Sequence, residues 1–328
     1  MRYLINKSTN PYFNLALDEY AMRNIDVGED YFFLWQNDNA IIIGRNQNTL
    51  AEINSDFVEE KGIRVARRMS GGGAVYHDFG NLNFTIITNI EDVSKVNFHK
   101  YVEPVIQALK SMGVNAEASG RNDILIDGKK ISGNAQRQAN GRLMHHGTLM
   151  FDVDVETMVR SLNVADDKFI SKAAKSVRSR VTNIKEALPQ GTTLEEFWSK
   201  LHYYLSNEGK DEEIVLTDQQ IKEVEQLAEE KYSTWDWTYG KSPEFTYQND
   251  ARFAGGKIDV SVNVQEGIIE HIRFQGDFLG VNDVEDLENL LKGVRFDTQE
   301  VTKVFDSVPL ASYFGTITKE EVLSLLFS

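Results

Sequence analysis

One stretch constrains this chain more than any other: Ala66-Arg67-Arg68-Met69-Ser70-Gly71-Gly72-Gly73-Ala74-Val75-Tyr76-His77-Asp78. Three consecutive glycines lack Cβ atoms, so the backbone can take positive φ and lie directly against a ligand. Successive N–H groups in such a turn can form an anion-binding concavity. Arg67 and Arg68 stand just before it, with fork-shaped donors suited to phosphate or carboxylate. Leu82 to Thr88 reads as a strand that holds the loop on a rigid element. A glycine triplet alone reads more simply as a surface turn. The density of Arg, Ser, Gly, His and Asp around this one favours a site for an anionic, phosphate-bearing small molecule.

The rest of the chain limits how such a molecule can be handled. Its 328 residues can bury a sizeable core and suit one large domain plus a smaller one. Cysteine is absent, which excludes disulfides, Cys-type zinc sites and a cysteine nucleophile. The net charge of −15 argues against a broad nucleic-acid footprint, which needs clustered Lys and Arg. An anion must then be held by a local basic island, for which Arg45, Arg64, Arg67 and Arg68 are the candidates. No apolar run is long enough to span a bilayer, and Met1 to Asn6 lacks a signal-peptide pattern. The expectation is a cytoplasmic protein that engages neither membrane nor nucleic acid. Walker A, Rossmann, Gly-x-Ser-x-Gly and His-Glu-x-x-His patterns do not occur, so a nucleotide would bind by a less common arrangement.

In chain order, Asn10-Pro11 opens a helix over Phe13–Asn24. Tyr31–Trp35 and Ala40–Gly44 are apolar β-type runs separated by Gln36-Asn37-Asp38-Asn39, which predicts a hairpin. Asp56 to Lys61 reads as a helix end stopped by Gly62, and Asn97 to Met112 as a helix stopped by Gly113. A β meander follows, with strands near Asp123–Ile126, Lys129–Arg137 and Arg142–Phe151, turned by Asp127-Gly128 and Asn140-Gly141. Thr193 to Lys231 is helix-rich, and its Lys210-Asp211-Glu212-Glu213 cluster reads as a solvated loop. An aromatic segment, Ser233 to Ser242, leads to a boundary near Phe245. Beyond it, strands Lys257–Val264 and Ile268–Phe274 and helices near Asp283–Leu291 and Lys319–Phe327 suggest a compact module with its own core. The expected division is 1–245 and 246–328.

Strand alternation places Lys129 and Lys130 on opposite faces, with Lys130 beside Ser132, Asn134 and Gln136. That polar face either meets solvent or lines a pocket with Lys130 as a point charge. His145 and His146 also face opposite ways, which disfavours joint metal chelation and leaves one packed or hydrogen-bonded in the core. Gly147 leaves room for a ligand to approach. Ser176-Val177-Arg178-Ser179-Arg180-Val181 is equally readable as a basic surface turn or a phosphate contact.

Taken together, the Arg67–Asp78 block, Gly120-Arg121-Asn122-Asp123, Lys130-Ile131-Ser132-Gly133, His145-His146-Gly147-Thr148 and Ser176–Asn183 resemble lipoate–protein ligases of the bacterial two-domain type. Phe13–Ala16 and Trp35–Arg45 add to this, and the resemblance spans essentially the whole chain. It implies an α+β fold: a biotin/lipoate ligase catalytic domain, related to class II aminoacyl-tRNA synthetases, with a small C-terminal α/β accessory domain. It implies that lipoate and ATP give lipoyl-AMP, and that the lipoyl group then passes to a lysine of an acceptor domain, in E2 subunits of 2-oxoacid dehydrogenases or glycine cleavage H protein. Carried over residue by residue, Arg68 and the backbone of Gly73, Ala74, Val75 and Tyr76 would hold the adenylate. Lys130 would contact its phosphate and the lipoyl carbonyl, as the catalytic residue. Leu17, Trp35, Arg68, Ser70, His77, Lys130 and Gly133 would form the lipoate pocket. Magnesium is expected with ATP; the sequence does not fix its ligands, and Asn81 and Asp123 are the candidates.

Three rivals are weighed. Acyltransferases of this fold that work through a cysteine thioester are disfavoured by the missing cysteine. A biotin ligase would carry a Gly-Arg-Gly-Arg-type loop, which does not occur. A non-catalytic sensor of the lipoyl nucleotide is disfavoured because Lys130 is present and no DNA-binding segment precedes the catalytic-like region. The C-terminal module, which holds none of the assigned residues, is expected to gate the site rather than react.

Overall fold

A computed structural model describes residues 1–25, 28–47, 49–90, 97–120, 122–162, 180–206, 208–239, 247–265, 268–296 and 298–327. The boundary near Phe245 lies outside them. In chain order the strands are β1 (Arg2–Leu4), β2 (Tyr31–Trp35), β3 (Ala40–Ile43), β4 (Arg64–Arg67), β5 (Val75–His77), β6 (Asn81–Asn89), β7 (Ala116–Ser119), β8 (Asp123–Ile126), β9 (Lys129–Ala139), β10 (Arg142–Met150), β11 (Glu213–Ile214), β12 (Tyr247–Phe253), β13 (Gly256–Gln265) and β14 (Ile268–Gly276). They form a large sheet in the order β11-β1-β2-β6-β10-β9-β8-β7 and two three-stranded sheets, β4-β3-β5 and β12-β13-β14.

The large sheet is buried on both faces because its apolar residues alternate between two cores. Phe32 and Leu34 join Phe84, Ile86 and Leu149 under the helices Phe98–Ser111 and Leu194–Leu205. Tyr31, Phe33 and Trp35 join Leu15, Leu17 and Tyr20 of the helix Pro11–Asn24 on the other face. That helix starts where the sequence predicts: the Asn10 side chain accepts from the Tyr12 N–H, and Pro11 needs no donor there. The meander turns also match, with positive φ at Asp127, Gly128, Asn140 and Gly141, as two-residue hairpin loops require.

The predicted hairpin of Tyr31–Trp35 with Ala40–Gly44 does not form. β2 pairs with β1 and β6, whereas β3 pairs with β4 and β5. Every residue of both strands is buried, so each strand needs a neighbour at both edges, and one hairpin partner cannot supply that. The intervening residues carry the chain from one sheet to the other. Asn37 is buried there and bonded to Asn14 and His77, and the Asp38 N–H donates to the Thr9 carbonyl. The acidic cluster is not wholly a solvated loop either: Glu213 begins edge strand β11 beside β1, and the Asp211 carboxylate is buried 3.4 Å from His202.

The C-terminal module packs β12-β13-β14 against the helices Val284–Leu291, Thr298–Asp306 and Lys319–Phe327 around a core of its own. Alternate residues of β13 are buried, as expected of a sheet covered on one face. The sequence reading missed β12, whose Gln248, Asp250 and Arg252 leave little apolar alternation. It also missed Thr298–Asp306, which buries only Val301 and Phe305.

Candidate functional site

A cleft opens between the glycine loop, the helix Pro11–Asn24 and strands β6, β9 and β10. Leu15, Trp35 and Ile42 give it an apolar wall; Arg68 and Lys130 bring positive charge to it. Gly73, Ala74, Val75, His77 and Gly133, all expected at the site, border the same space. Leu17, Ser70, Tyr76, Asn81 and Asp123 do not line it. Leu17 is fully buried in the core of the helix's sheet face, and Leu15, two residues earlier and so on a different side of the helix, takes its place. Tyr76 points into the core of the small sheet, its hydroxyl on Asn39.

The two arginines of the loop divide their roles. Arg67 is spent on structure: its guanidinium donates to the carbonyls of Gly44, Arg45, Gln47, Trp237 and Thr238 and to the Thr49 hydroxyl. Arg68 donates to the carbonyls of Ile42, Gly71 and Gly73 at 3.0, 2.7 and 2.8 Å, and so shapes the loop it precedes. Burial, with the neighbouring guanidinium second, pulls the pKa of Arg68 down to about 10; it stays charged at neutral pH. The expected basic island is therefore smaller than the sequence suggests. Arg45 pairs with Asp283 and Glu285 over the Trp237 ring, and Arg64 pairs with Asp38.

The glycines answer to different neighbours. Gly72 has φ +91 and donates its N–H to the Phe278 carbonyl of the C-terminal module. A methyl group at Gly44 would lie 1.9 Å from the Gly72 oxygen, and one at Gly71 would lie 2.6 Å from the Phe278 oxygen. At Gly73 the nearest atom to a methyl would be 3.9 Å away. Close approach of protein backbone thus accounts for positions 44 and 71, a positive φ and the side chains of Leu279 and Arg68 account for position 72, and position 73 alone of the triplet has room for a methyl group. Gly147 likewise answers to the fold, since a methyl there would meet the Asn134 side chain at 2.1 Å and the Phe84 ring.

Lys130 reaches the cleft by a route that simple alternation does not give. Ile124 pairs with Ser132 but Leu125 pairs with Lys130, so Ile131 is the extra residue of a β-bulge. The bulge turns Lys130 away from the side of Ser132 and Asn134 that alternation predicts and onto that of Asp123 and Gly133. Its ammonium lies 2.8 Å from Asp123, and a methyl at Gly133 would sit 3.2 Å from Nζ. Lys129 is exposed. Val181 bridges to Lys130, and Thr182 donates to its carbonyl; residues 176–179 of that segment lie outside the described residues, as does Arg121. Asn81 is on β6 and Asp123 on β8, with two strands between them. Asn81 is bonded to Asn83, and Asp123 is paired with Lys130. No group of three or more metal-binding side chains occurs among the described residues.

Two buried donors aim at the cleft. Asn14 donates to the backbone carbonyls of Ser8 and Gln36 and to Asn37 Oδ1, so Asn37 turns its amide nitrogen to His77 Nδ1 at 3.0 Å. His77 Nδ1 therefore accepts and the ring proton sits on Nε2. That Nε2 has no partner among the described residues, and neither has Asn83 Nδ2; both residues border the cleft. Burial, then the charges of Arg68 and His146, push the His77 pKa down to about 3, so the ring stays neutral. His145 points into the opposite core, stacked on Tyr101 and Phe84.

His146 belongs to a buried chain that sequence reasoning missed. Trp35 Nε1 donates to Thr85, whose hydroxyl donates to Asp18 Oδ1 at 2.9 Å. Asp18 Oδ2 is 2.9 Å from His146 Nδ1, and His146 Nε2 is 2.5 Å from Ser70 Oγ, which also accepts from Arg68 Nε at 3.2 Å. One signal was present: Asp18 and Glu19 follow Leu15-Ala16-Leu17 on a helix whose apolar face must be buried. Acids in such a place need partners.

Among the described residues no helix is long and apolar enough to cross a membrane. Residues 10–206 match the lipoyl protein ligase A/B catalytic domain, and residues 242–326 match the bacterial lipoate protein ligase C-terminus. The chain is 48% identical to the lipoate-protein ligase LplJ of Bacillus subtilis, covering 100% of both, and 42% identical to lipoate–protein ligase 1 of Staphylococcus aureus, covering 99% and 100%. Among solved structures it is similar to P. falciparum LipL1 in complex with lipoate (26% identity, TM-score 0.81, 98% and 97% covered). It is also similar to a lipoate-protein ligase A bound with ATP (27%, TM-score 0.64, 73% and 98%). A third is the bi-partite ligase of Thermoplasma acidophilum, described with its E2 lipoyl domain (30%, TM-score 0.68, 75% and 98%). Two matched domain models and relatives aligned from end to end place this chain in the lipoate–protein ligase family.

Proposed function

We propose that this protein joins lipoate to ATP as lipoyl-AMP and transfers the lipoyl group to a lysine of an acceptor domain of the E2 or H-protein kind, in the cytoplasm. One observation carries the reading: the glycine loop, Lys130 and an apolar wall of Leu15, Trp35 and Ile42 border a single cleft. The apolar wall suits the acyl chain, and neutral His77 adds no charge to repel it. Arg68 and the backbone of Gly73–Val75 face the adenylate, and Lys130 sits where the acyl carbonyl meets the phosphate.

In the first half-reaction a carboxylate oxygen bonds to the α-phosphorus and pyrophosphate leaves. Two anions must approach, so cations and N–H donors offset their repulsion and hold the developing charge. In the second, the acceptor amine bonds to the acyl carbon and AMP leaves with the bonding electrons. No enzyme nucleophile is required, in keeping with a chain without cysteine. Magnesium is proposed to accompany ATP with no ligand assigned from this chain, and the division into catalytic and accessory domains is proposed near residue 245. Pyrophosphate release measured with lipoate, octanoate and biotin tests the reading. Release with lipoate is expected, and release with biotin alone would overturn it.

A further inference from the structure

We propose that Arg45 and Arg137 form a second anion site beside the cleft, built for a diphosphate group: the tail of bound ATP or the pyrophosphate released from it. The inference rests on the proposed ligase reading and adds a site to it. Activation expels two phosphates as one polyanion, and cations outside the adenylate's own contacts stabilise it as it leaves.

The arginine pair is arranged as an oxyanion cradle. Asp283 Oδ2 lies 2.9 Å from Arg45 Nη2 and 3.4 Å from Arg137 Nη2, so one oxygen already sits between both guanidiniums. That carboxylate, and Glu285 at 3.2 Å from Arg45, come from the C-terminal module; among the described residues no acid from the rest of the chain pairs with either arginine. Each guanidinium is engaged through Nη2, and among the described residues its Nη1 and Nε have no hydrogen-bond partner. A guanidinium carries five N–H donors, so most remain for a larger anion. Arg45 is held from behind by the Trp237 ring, whose centroid is 4.6 Å from its Cζ. Burial pulls the Arg137 pKa down, Asp283 pushes it back up and Arg45 lowers it again; the two cations repel each other and need an anion between them.

The pair also stands next to the cleft. The Arg45 N–H donates to the Ser70 carbonyl of the glycine loop, and Gly44 packs against Gly72. Arg137 follows Ala135, which lines the cleft, by two residues of regularly paired β9, about 7 Å along the same strand face. Asn134 and Ala135 also line a second cavity, which reaches Gln136 on one side and Val281 of the C-terminal module on the other. Chain neighbours of both Arg137 and Asp283 thus face a space that adjoins the cleft. Asp283 holds the place of a phosphoryl oxygen, and a diphosphate that enters must compete with it.

Titration calorimetry of the full chain at fixed ionic strength, with pyrophosphate, AMP and ATP as separate titrants, tests the site. Arg137→Gln and Arg45→Gln are expected to weaken pyrophosphate binding about 10-fold or more, the worth of a lost charge-assisted hydrogen bond, and to leave AMP binding as in wild type. Asp283→Asn removes the competing charge and is expected to tighten pyrophosphate binding. ATP tells the two sources apart: if it weakens with pyrophosphate, the pair holds the tail of the bound nucleotide, and if it does not, the pair holds the released product. Equal pyrophosphate affinity in wild type and the arginine variants, an equal loss for AMP, or no gain in Asp283→Asn would overturn the proposal. Should one arginine variant not fold, the other decides it on the same readout. Pyrophosphate held by the pair, with none released from lipoate and ATP by the wild-type protein, would instead refute the ligase reading and leave the site standing.

Discussion

At the scale of single residues, Lys130 and Lys129 make the sharpest contrast. Lys130→Ala should lose about 3–4 kcal/mol of transition-state stabilisation, as removal of one preorganised donor does. Lys129→Ala, at an exposed position, should stay near wild-type activity; single-turnover adenylation assays of both variants check this. His145 gives a test by pH. Burial pushes its pKa down to about 3 from 6.5, so the unfolded chain binds the proton more readily, and the stability that the neutral ring supports is lost progressively as pH falls from 6.5 toward 3. In His145→Gln that loss disappears. The stability gap between wild type and variant should shrink by about 1.4 kcal/mol per pH unit below pH 6, read by denaturant melts at pH 7 and pH 5. The residue types at the site were legible: Arg68, His77, Lys130 and Gly133 can all be picked from the sequence, and all border the cleft. Asp18 and Asn37 were not, because their roles come from partners 128 and 40 positions away that only the fold brings within reach.

At the scale of elements, local chemistry was read well and pairing was not. Caps, glycine stops and Asx-Gly turns act within a few residues, so Asn10, Gly113 and Asn140-Gly141 announce themselves. Sheet neighbours are chosen by long-range burial, and the choice of β1 and β6 for β2 leaves no mark inside Tyr31–Trp35. The β9 bulge is similar: a single extra residue, Ile131, reverses which side chains share a face with Lys130. The glycine loop offers a paired prediction. Gly72→Ala strains a residue at φ +91 and presses on Leu279 and Arg68, so it should cost about 1–3 kcal/mol of stability. Gly73→Val should leave the melting temperature within a few degrees yet weaken lipoyl-AMP binding, because its Cβ meets no atom of the chain nearer than 3.9 Å. Thermal melts and adenylate titrations of the two variants separate fold from ligand.

At the scale of the whole molecule, the C-terminal module is docked by few but well-placed contacts. Gly72 N–H meets Phe278, Gln138 N–H meets Val281, and Gly276 N–H meets Asn46. Asp283 sits between Arg45 and Arg137 at 2.9 and 3.4 Å, all three side chains under 20% exposed. Asp283 also caps the helix Val284–Leu291, so two substitutions part its roles. Asp283→Asn keeps a capping oxygen and loses the charge, leaving two guanidiniums facing each other, and should weaken docking by about 1–3 kcal/mol. Asp283→Ala should cost about 1 kcal/mol more through the lost cap. Calorimetry should show the C-terminal transition moving away from the main one in that order. This docking was not legible, since the glycine loop and Arg45 read in sequence as a ligand site and not as a contact for the C-terminal module. The docked loop has a further consequence. Its Gly72 N–H serves Phe278, and the Arg68 guanidinium serves the Gly71 and Gly73 carbonyls, so these groups already have partners within the chain. A ligand that recruits these groups trades partners with the protein and adds few bonds to the total. The loop is in effect a competitor for its own site, and a molecule displaces it only by matching several of those positions at once.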